Sequence, residues 1–237
     1  MSGVGNGRAG VGFFGKVTSH GDFVARRLPA EFIQAWDGWL QAALQASRSD
    51  LGGRWLSTYL SSPLWRFVLA PGVCGAHAWA GVLMPSVDRV GRHFPLTVVG
   101  PLSGVSLLDW AAESGDWYEH LETLALSSLQ EGFSLHDFDT QLLAIEVPPA
   151  RGNVEPASHG RVTAVDGLAQ LSAALPAVVR RLADAGLAGQ SLWWTDGSDL
   201  VAPSLVQCQG LPALAGFSAL LEGRWSVHGW HLDATQL

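Results

Sequence analysis

Apolar and polar positions along the chain alternate between two periods, and the changes of period mark the elements. Val11–Val17 is almost wholly apolar and predicts a first strand, which ends in the polar loop Thr18-Ser19-His20-Gly21-Asp22. From Glu31 to Ala46 the large side chains Phe32, Trp36, Trp39, Leu40, Ala43 and Leu44 recur at helical spacing on one face. A second short helix, about Arg54–Leu60, places Trp55, Leu56, Tyr59 and Leu60 together. Strands follow at Trp65–Leu69, Ala76–Met84 and Leu96–Val99, joined by connections short enough to make them antiparallel neighbours. Ser106-x-x-Asp109 then opens a helix by a capping-box-like signal, and Gly115 interrupts the pattern. Asp116-x-x-Glu119 starts a longer helix running toward Gly132, and Ser134-x-x-Asp137 opens a third that ends near Ala144.

The second half repeats the alternation. Pro148–His159 is rich in Pro, Gly and polar residues and reads as a linker. Asp166–Gly186 is helical in pattern, bent or restarted at Pro176. Ser191–Thr195 and Leu200–Gln207 predict a hairpin across Asp196-Gly197, Leu211–Leu221 a last helix, and Trp225–Trp230 a last strand. Adjacent Trp193 and Trp194 must point to opposite sides of their strand, which calls for a sheet covered on both sides. The pattern as a whole predicts an α+β sandwich, with a mixed, largely antiparallel sheet and helices on both faces. Its expected organisation is an N-terminal part over residues 1–147 with a central meander, a linker at 148–160, and a C-terminal α/β part over 161–237 packed on the first.

Composition narrows the class. Hydrophobic residues make up 48% of the 237 and charged residues 15%, which specifies a globular chain with a deep core. A net charge of −7 argues against a nucleic-acid partner. The charge is segregated: residues 1–100 carry nine Arg/Lys against five Asp/Glu, and residues 101–237 carry five against sixteen. Such polarity suits attraction between two lobes or two distinct partner surfaces, although solvated faces account for most of it. Cys74 and Cys208 form no CxxC motif and no disulfide framework, and fit a reducing cytoplasm. Phe67–Val87 is uncharged for 21 residues, long enough to cross a bilayer, but Pro71-Gly72 splits it into the two arms of a hairpin. The Gly-rich start has no apolar stretch of the kind a secretory leader needs, so no membrane span and no export are expected.

No catalytic motif in the sequence is complete. Gly5/Gly7/Gly10 and Gly10/Gly12/Gly15 satisfy a dinucleotide-binding spacing, but neither follows a strand and opens a helix. Ser19-His20-Gly21-Asp22 holds the residue types of a hydrolytic triad, yet a triad needs side chains converging from separate segments. Ser86, His93 and Asp88 face the same objection. His228-x-x-His231 and His136-Asp137 are the best local metal pairs, and they lack the further ligands of a structural zinc site. No P-loop is present. No metal or cofactor is expected.

The densest ionic cluster of the first half is Pro85–Pro95, which holds Asp88, Arg89, Arg92 and His93 between two apolar strands. Two readings stay open. Asp88 can cap its own turn and pair with an arginine, as turn aspartates commonly do. Alternatively, two arginines beside Gly91 offer bidentate donors to a carboxylate or phosphorylated partner. Lys16, His20, Asp22, Arg26 and Arg27 form a second polar group able to lie beside the first, with Ser86 at its margin.

Several stretches taken together resemble the TagF family of type VI secretion-associated proteins. They are Gly12-Phe13-Phe14-Gly15-Lys16, Gly21-Asp22-Phe23, Arg27-Leu28-Pro29, Trp36-Asp37, Trp65-Arg66-Phe67, Pro85–Arg92 and Phe94-Pro95-Leu96, with Trp193–Gly197 adding a weaker likeness. The resemblance implies a cytoplasmic, post-translational repressor of secretion assembly in a Gram-negative bacterium. Such a repressor opposes activation through a forkhead-associated scaffold protein and can act independently of the threonine kinase and phosphatase pair. Some members carry a fused phosphatase; no such segment is legible here, so a stand-alone member is implied. The family has no catalytic residues to carry over. The resulting expectation is a non-enzymatic protein that binds the scaffold through Lys16, His20, Asp22, Arg26, Arg27, Ser86, Asp88, Arg89 and Arg92. The alternatives are an enzyme acting on a small molecule or phospho-ligand through Asp88, Arg89, Arg92 and His93, or a structural subunit of the apparatus.

Overall fold

A computed structural model describes residues 10–147 and 182–233, with Pro176 and Val179 between them. The expected linker and most of the helix expected over Asp166–Gly186 lie outside the described residues; residues 182–186 are helical. The chain forms β1 (Gly12–Gly15), β2 (Val24–Arg26), α1 (Ala30–Leu51), α2 (Trp55–Leu60), β3 (Trp65–Leu69), β4 (Ala78–Met84) and β5 (Leu96–Leu102). There follow α3 (Leu107–Glu113), α4 (Gly115–Ser127), α5 (Leu135–Ala144), β6 (Gln190–Thr195), β7 (Ser204–Gln209) and α6 (Phe217–Glu222).

The described strands make one sheet in the order β2-β1-β5-β4-β3-β6-β7, and every pairing is antiparallel. The meander expected from two short connections is β3-β4-β5. β1 pairs with the outer side of β5, and β6 with the outer side of β3. All seven residues of β4, at the centre, are buried. Because successive side chains alternate in direction, the sheet feeds two hydrophobic layers.

One layer joins Phe14, Trp65, Phe67, Trp79 and Trp193 to the buried stripe of α1 (Phe32, Trp36, Trp39, Leu40, Ala43, Leu44), to α2 and to α6. The other joins Phe13, Val68, Val82, Leu96 and Val98 to Trp110 of α3, Tyr118 and Leu121 of α4 and Phe138 of α5. Trp193 lies in the first layer and Trp194 packs against the second, as their adjacency in a strand requires. The fold is therefore α+β with helices on both faces. Ser106 and Ser134 cap α3 and α5 by accepting the backbone N–H groups of Asp109 and Asp137 at 3.1 and 3.3 Å.

One strand was missed and three expectations are corrected. β2 was not legible, because three residues next to a polar loop carry no usable alternation. The second arm of the late hairpin is Ser204–Gln209 and not Leu200–Gln207, since Ser198 and Val201 close a turn of their own through an N–H to carbonyl bond of 2.8 Å. Trp225–Trp230 is no strand. Trp225–His228 is a 3-10 turn between the left-handed Gly223 and Gly229, and the expected helix from Leu211 becomes a 3-10 turn at Leu214–Gly216 followed by α6. Trp225 packs edge-on against Trp65 and Trp230, so its apolar character serves a corner of the core. Among the described residues, no helix is long and apolar enough to cross a membrane.

Candidate functional site

β1 ends where β5 begins, and this brings the loop after β1 against the loop before β5. Gly15 makes the approach feasible: its φ is +141°, and a Cβ there would overlap the carbonyl oxygen of Pro95. Gly15→Ala is expected to destabilise the protein by about 2–3 kcal/mol through backbone displacement and strain. Urea unfolding checks this; a loss near zero would show that the two loops can part without cost.

From Gly15 onward the loops are stitched together. Ser86 Oγ donates to the Lys16 carbonyl at 2.8 Å, and Phe94 N–H donates to the Ser86 carbonyl at 3.1 Å. The Tyr59 hydroxyl of α2 donates to the Ser86 carbonyl at 2.8 Å and accepts its N–H at 2.9 Å. Burial pushes the Tyr59 phenol above its ordinary range, against the effect of the backbone hydrogen bond from Ser86. Val87 and His93 form an isolated antiparallel bridge, which narrows the loop to its tip at Asp88–Arg92.

Asp88 organises that tip. Its Oδ1 accepts the backbone N–H groups of Val90 and Arg92 at 3.0 and 2.8 Å, and its Oδ2 accepts Lys16 Nζ and Arg92 Nε, both at 2.7 Å. Gly91 takes φ +85° to close the turn. The Asp88 side chain has no solvent exposure, and the Lys16 ammonium that meets it is also buried. Burial works against the charged carboxylate. The hydrogen bonds from Lys16, from Arg92 and from the Val90 N–H outweigh it and hold the Asp88 carboxyl well below the usual carboxylate range.

Around this braced centre the exposed groups converge. Arg89 N–H donates to the His20 carbonyl at 3.0 Å, Arg92 Nη2 donates to the Gly21 carbonyl, and Arg92 lies 3.8 Å from Asp22. His20 Nδ1 sits 2.8 Å from Ser19 Oγ. Lys16, His20, Asp22, Ser86, Asp88, Arg89 and Arg92 therefore share one site. Arg26 and Arg27 do not bond into it. They pair with Asp139 of α5, at 3.9 and 2.5 Å, and Arg27 Nε donates to the Val11 carbonyl. Residue 27 has a positive φ of 58° and turns its side chain back across β1. His93 also leaves the cluster, its ring packed edge-on against Trp55 and Tyr59. The candidate metal pair at the C-terminus divides too: His228 bridges Asp50 and Glu222, while His231 sits beside Asp233.

Two members of the surface were not singled out from sequence. Phe23 stacks on Phe14 and meets Phe94 edge-on, and Val90 stands at the loop tip; both are substantially exposed. An apolar residue inside an otherwise polar loop was the available signal in each case.

Residues 12–145 match the TagF N-terminal domain, a type VI secretion system-associated family. The match covers more than half of the chain and includes both loops, and the protein belongs to this family. Among solved structures, the crystal structure of PA0076 from Pseudomonas aeruginosa PAO1 aligns with a TM-score of 0.81 at 37% identity, covering 95% of this chain and 98% of that one. No curated protein matches.

Proposed function

We propose that this protein is a cytoplasmic, post-translational repressor of type VI secretion assembly. It acts without catalysis or cofactor, by binding a forkhead-associated scaffold protein through the loop pair Lys16–Phe23 and Val87–His93. Family membership supports the link to secretion. The observation that supports binding over chemistry is the state of Asp88: its carboxylate is engaged by four hydrogen bonds and hidden, while Arg89, Val90, His20 and Phe23 face outward on the frame it holds. A general base has to reach a substrate proton, and a carboxylate committed in this way does not. His20, Asp88 and His93 point to different surroundings, which counts against an enzyme built from them.

Deleting the gene separates the readings of its role. Repression predicts that secretion of an effector into the medium rises in the deletion strain and falls when the gene is restored. A structural subunit predicts the reverse, and unchanged secretion would remove the repressor reading. For the surface, a folded Arg89→Ala/Arg92→Ala variant is expected to lose capture of the scaffold in a pull-down; undiminished capture would exclude the loop pair.

A further inference from the structure

The loop pair carries an uncompensated charge. Lys16, Arg89 and Arg92 contribute three cations, and the carboxylates facing them are Asp88 and Asp22. Asp88 is shared between Lys16 and Arg92, each 2.7 Å from Oδ2. The Asp22 side chain stands wholly in solvent at 3.8 Å from Arg92, a contact that contributes little. Among the described residues, the Arg89 guanidinium makes no hydrogen bond or ion pair.

Both guanidinium groups lie over the same residue. Arg92 Nη2 donates to the Gly21 carbonyl, and Arg89 Nη2 stands 3.9 Å from where a Gly21 Cβ would be. Both groups border one residue and carry the same charge, so a carboxylate arriving above Gly21 meets two cations that otherwise repel. The supporting backbone is already locked by three bonds of 3.0 Å, from Arg89 N–H to His20 O, Gly91 N–H to Asp88 O and Asp88 N–H to Arg92 O. Binding therefore costs little ordering of the backbone, and the ordering that remains is mainly that of the Arg89 side chain. Beside the charges stand Val90, 66% exposed, and Phe23, 47% exposed, whose ring is kept in place at 5.6 Å from Phe14 and 4.8 Å from Phe94. A cation pair on a braced backbone, next to an exposed Val90 and a held Phe23 ring, is complementary to a short segment that alternates acidic and aliphatic residues.

We propose that Arg89 and Arg92 chelate a carboxylate of an acidic partner segment above Gly21, and that an aliphatic side chain of the same segment seats on Phe23 and Val90. This rests on the binding reading above and adds the chemistry by which the partner is recognised.

The test titrates the intact protein with three capped peptides, following the Nε–Hε resonances of Arg89 and Arg92 and the methyl resonances of Val90 by NMR. The peptides are Asp-Glu-Leu-Asp-Glu, its amide counterpart Asn-Gln-Leu-Asn-Gln, and a neutral peptide bearing one phosphoserine. The acidic peptide is expected to move all three sets of resonances saturably, and less so as salt is raised from about 50 to about 300 mM. The amide peptide is expected to move none of them. Arg89→Glu, which alters an exposed side chain and leaves the bracing untouched, is expected to weaken the acidic peptide about tenfold or more. Equal shifts from the acidic and amide peptides, unchanged binding by Arg89→Glu, or a response to the phosphoserine peptide alone would each overturn the proposal. Parallel pull-downs with the scaffold protein separate the two readings. Equal capture by wild type and Arg89→Glu, with no peptide response, retains the scaffold reading and removes this one. A peptide response without scaffold capture does the opposite.

Discussion

Trp36→Ala should lower the unfolding free energy by about 3–5 kcal/mol, the usual cost of emptying a large aromatic site in a close-packed core. Trp36 is fully buried on α1 and stands at the centre of the first hydrophobic layer. Its ring stacks on Phe32 at 5.5 Å and on Trp193 at 5.9 Å, and meets Trp39 at 5.0 Å and Phe67 at 4.9 Å. It therefore joins α1 to β3 and β6, and truncation opens a cavity bounded by rigid rings that collapse poorly. The indole N–H also donates to Thr97 Oγ1 of β5 at 2.8 Å, so the substitution strands a buried hydroxyl as well. Domains have roughly 5–15 kcal/mol in total, and a loss of this size brings the variant close to unfolding. Trp36→Phe keeps a ring and loses the hydrogen bond, and is expected to cost less than half as much. Far-UV circular dichroism in urea measures both. A loss below about 1.5 kcal/mol for the alanine variant would mean that the neighbouring rings close the gap and that the layer is not rigid.

Asp88→Ala should produce the other large effect, by a different route. It removes the acceptor of two backbone N–H groups and of two cationic side chains, and leaves the buried Lys16 ammonium facing no counter-charge. Breaking one side of a buried pair is costly because of the charge left behind, which gives the prediction its signature. Lys16→Met should recover part of the thermal stability lost in Asp88→Ala, although Lys16→Met alone destabilises the native chain. If the double variant melts below Asp88→Ala, the stranded charge is not the cause.

Acid supplies a second handle. The folded Asp88 carboxyl is depressed below its ordinary value, near 4 in an unfolded chain. Its contribution is fully present above that ordinary value and is lost as pH falls through it toward the folded one. The gap in Tm between wild type and Asp88→Ala should therefore be largest at pH 7 and narrow from about pH 4 downward. Glu222 is depressed as well: burial opposes its charge, and hydrogen bonds from His228 and Arg54 outweigh that opposition. Acid sensitivity consequently persists in the variant, and it is the gap that reports on Asp88. A gap constant from pH 7 to pH 2 would remove the assigned role.

The sequence by itself determined what depends on local periodicity and local chemistry. The helical stripe of Phe32, Trp36 and Leu40, the span Trp65–Leu69, the caps Ser106 and Ser134, and the opposed faces of Trp193 and Trp194 were legible because a helix repeats every 3.6 residues and a strand every two. The α+β class followed from the order of those elements, and the resemblance to a secretion-associated family from motifs that are each contiguous in the chain. Short or irregular pieces escaped, β2 and the turn at Trp225–His228 among them, because three or four residues do not establish a period.

Only the tertiary structure decided how the polar residues are distributed. Lys16 and Asp88 are 72 positions apart and meet because β1 pairs with β5. Arg26 and Arg27, a few residues from His20, go instead to Asp139, more than 110 positions away from either. Neighbours in sequence were thus parted and distant residues joined by the path of the chain across the sheet, which no local pattern records. The same path turned the ionic cluster at 88–92 from an ambiguous motif into a buried carboxylate that braces a loop, with Arg89 left facing outward.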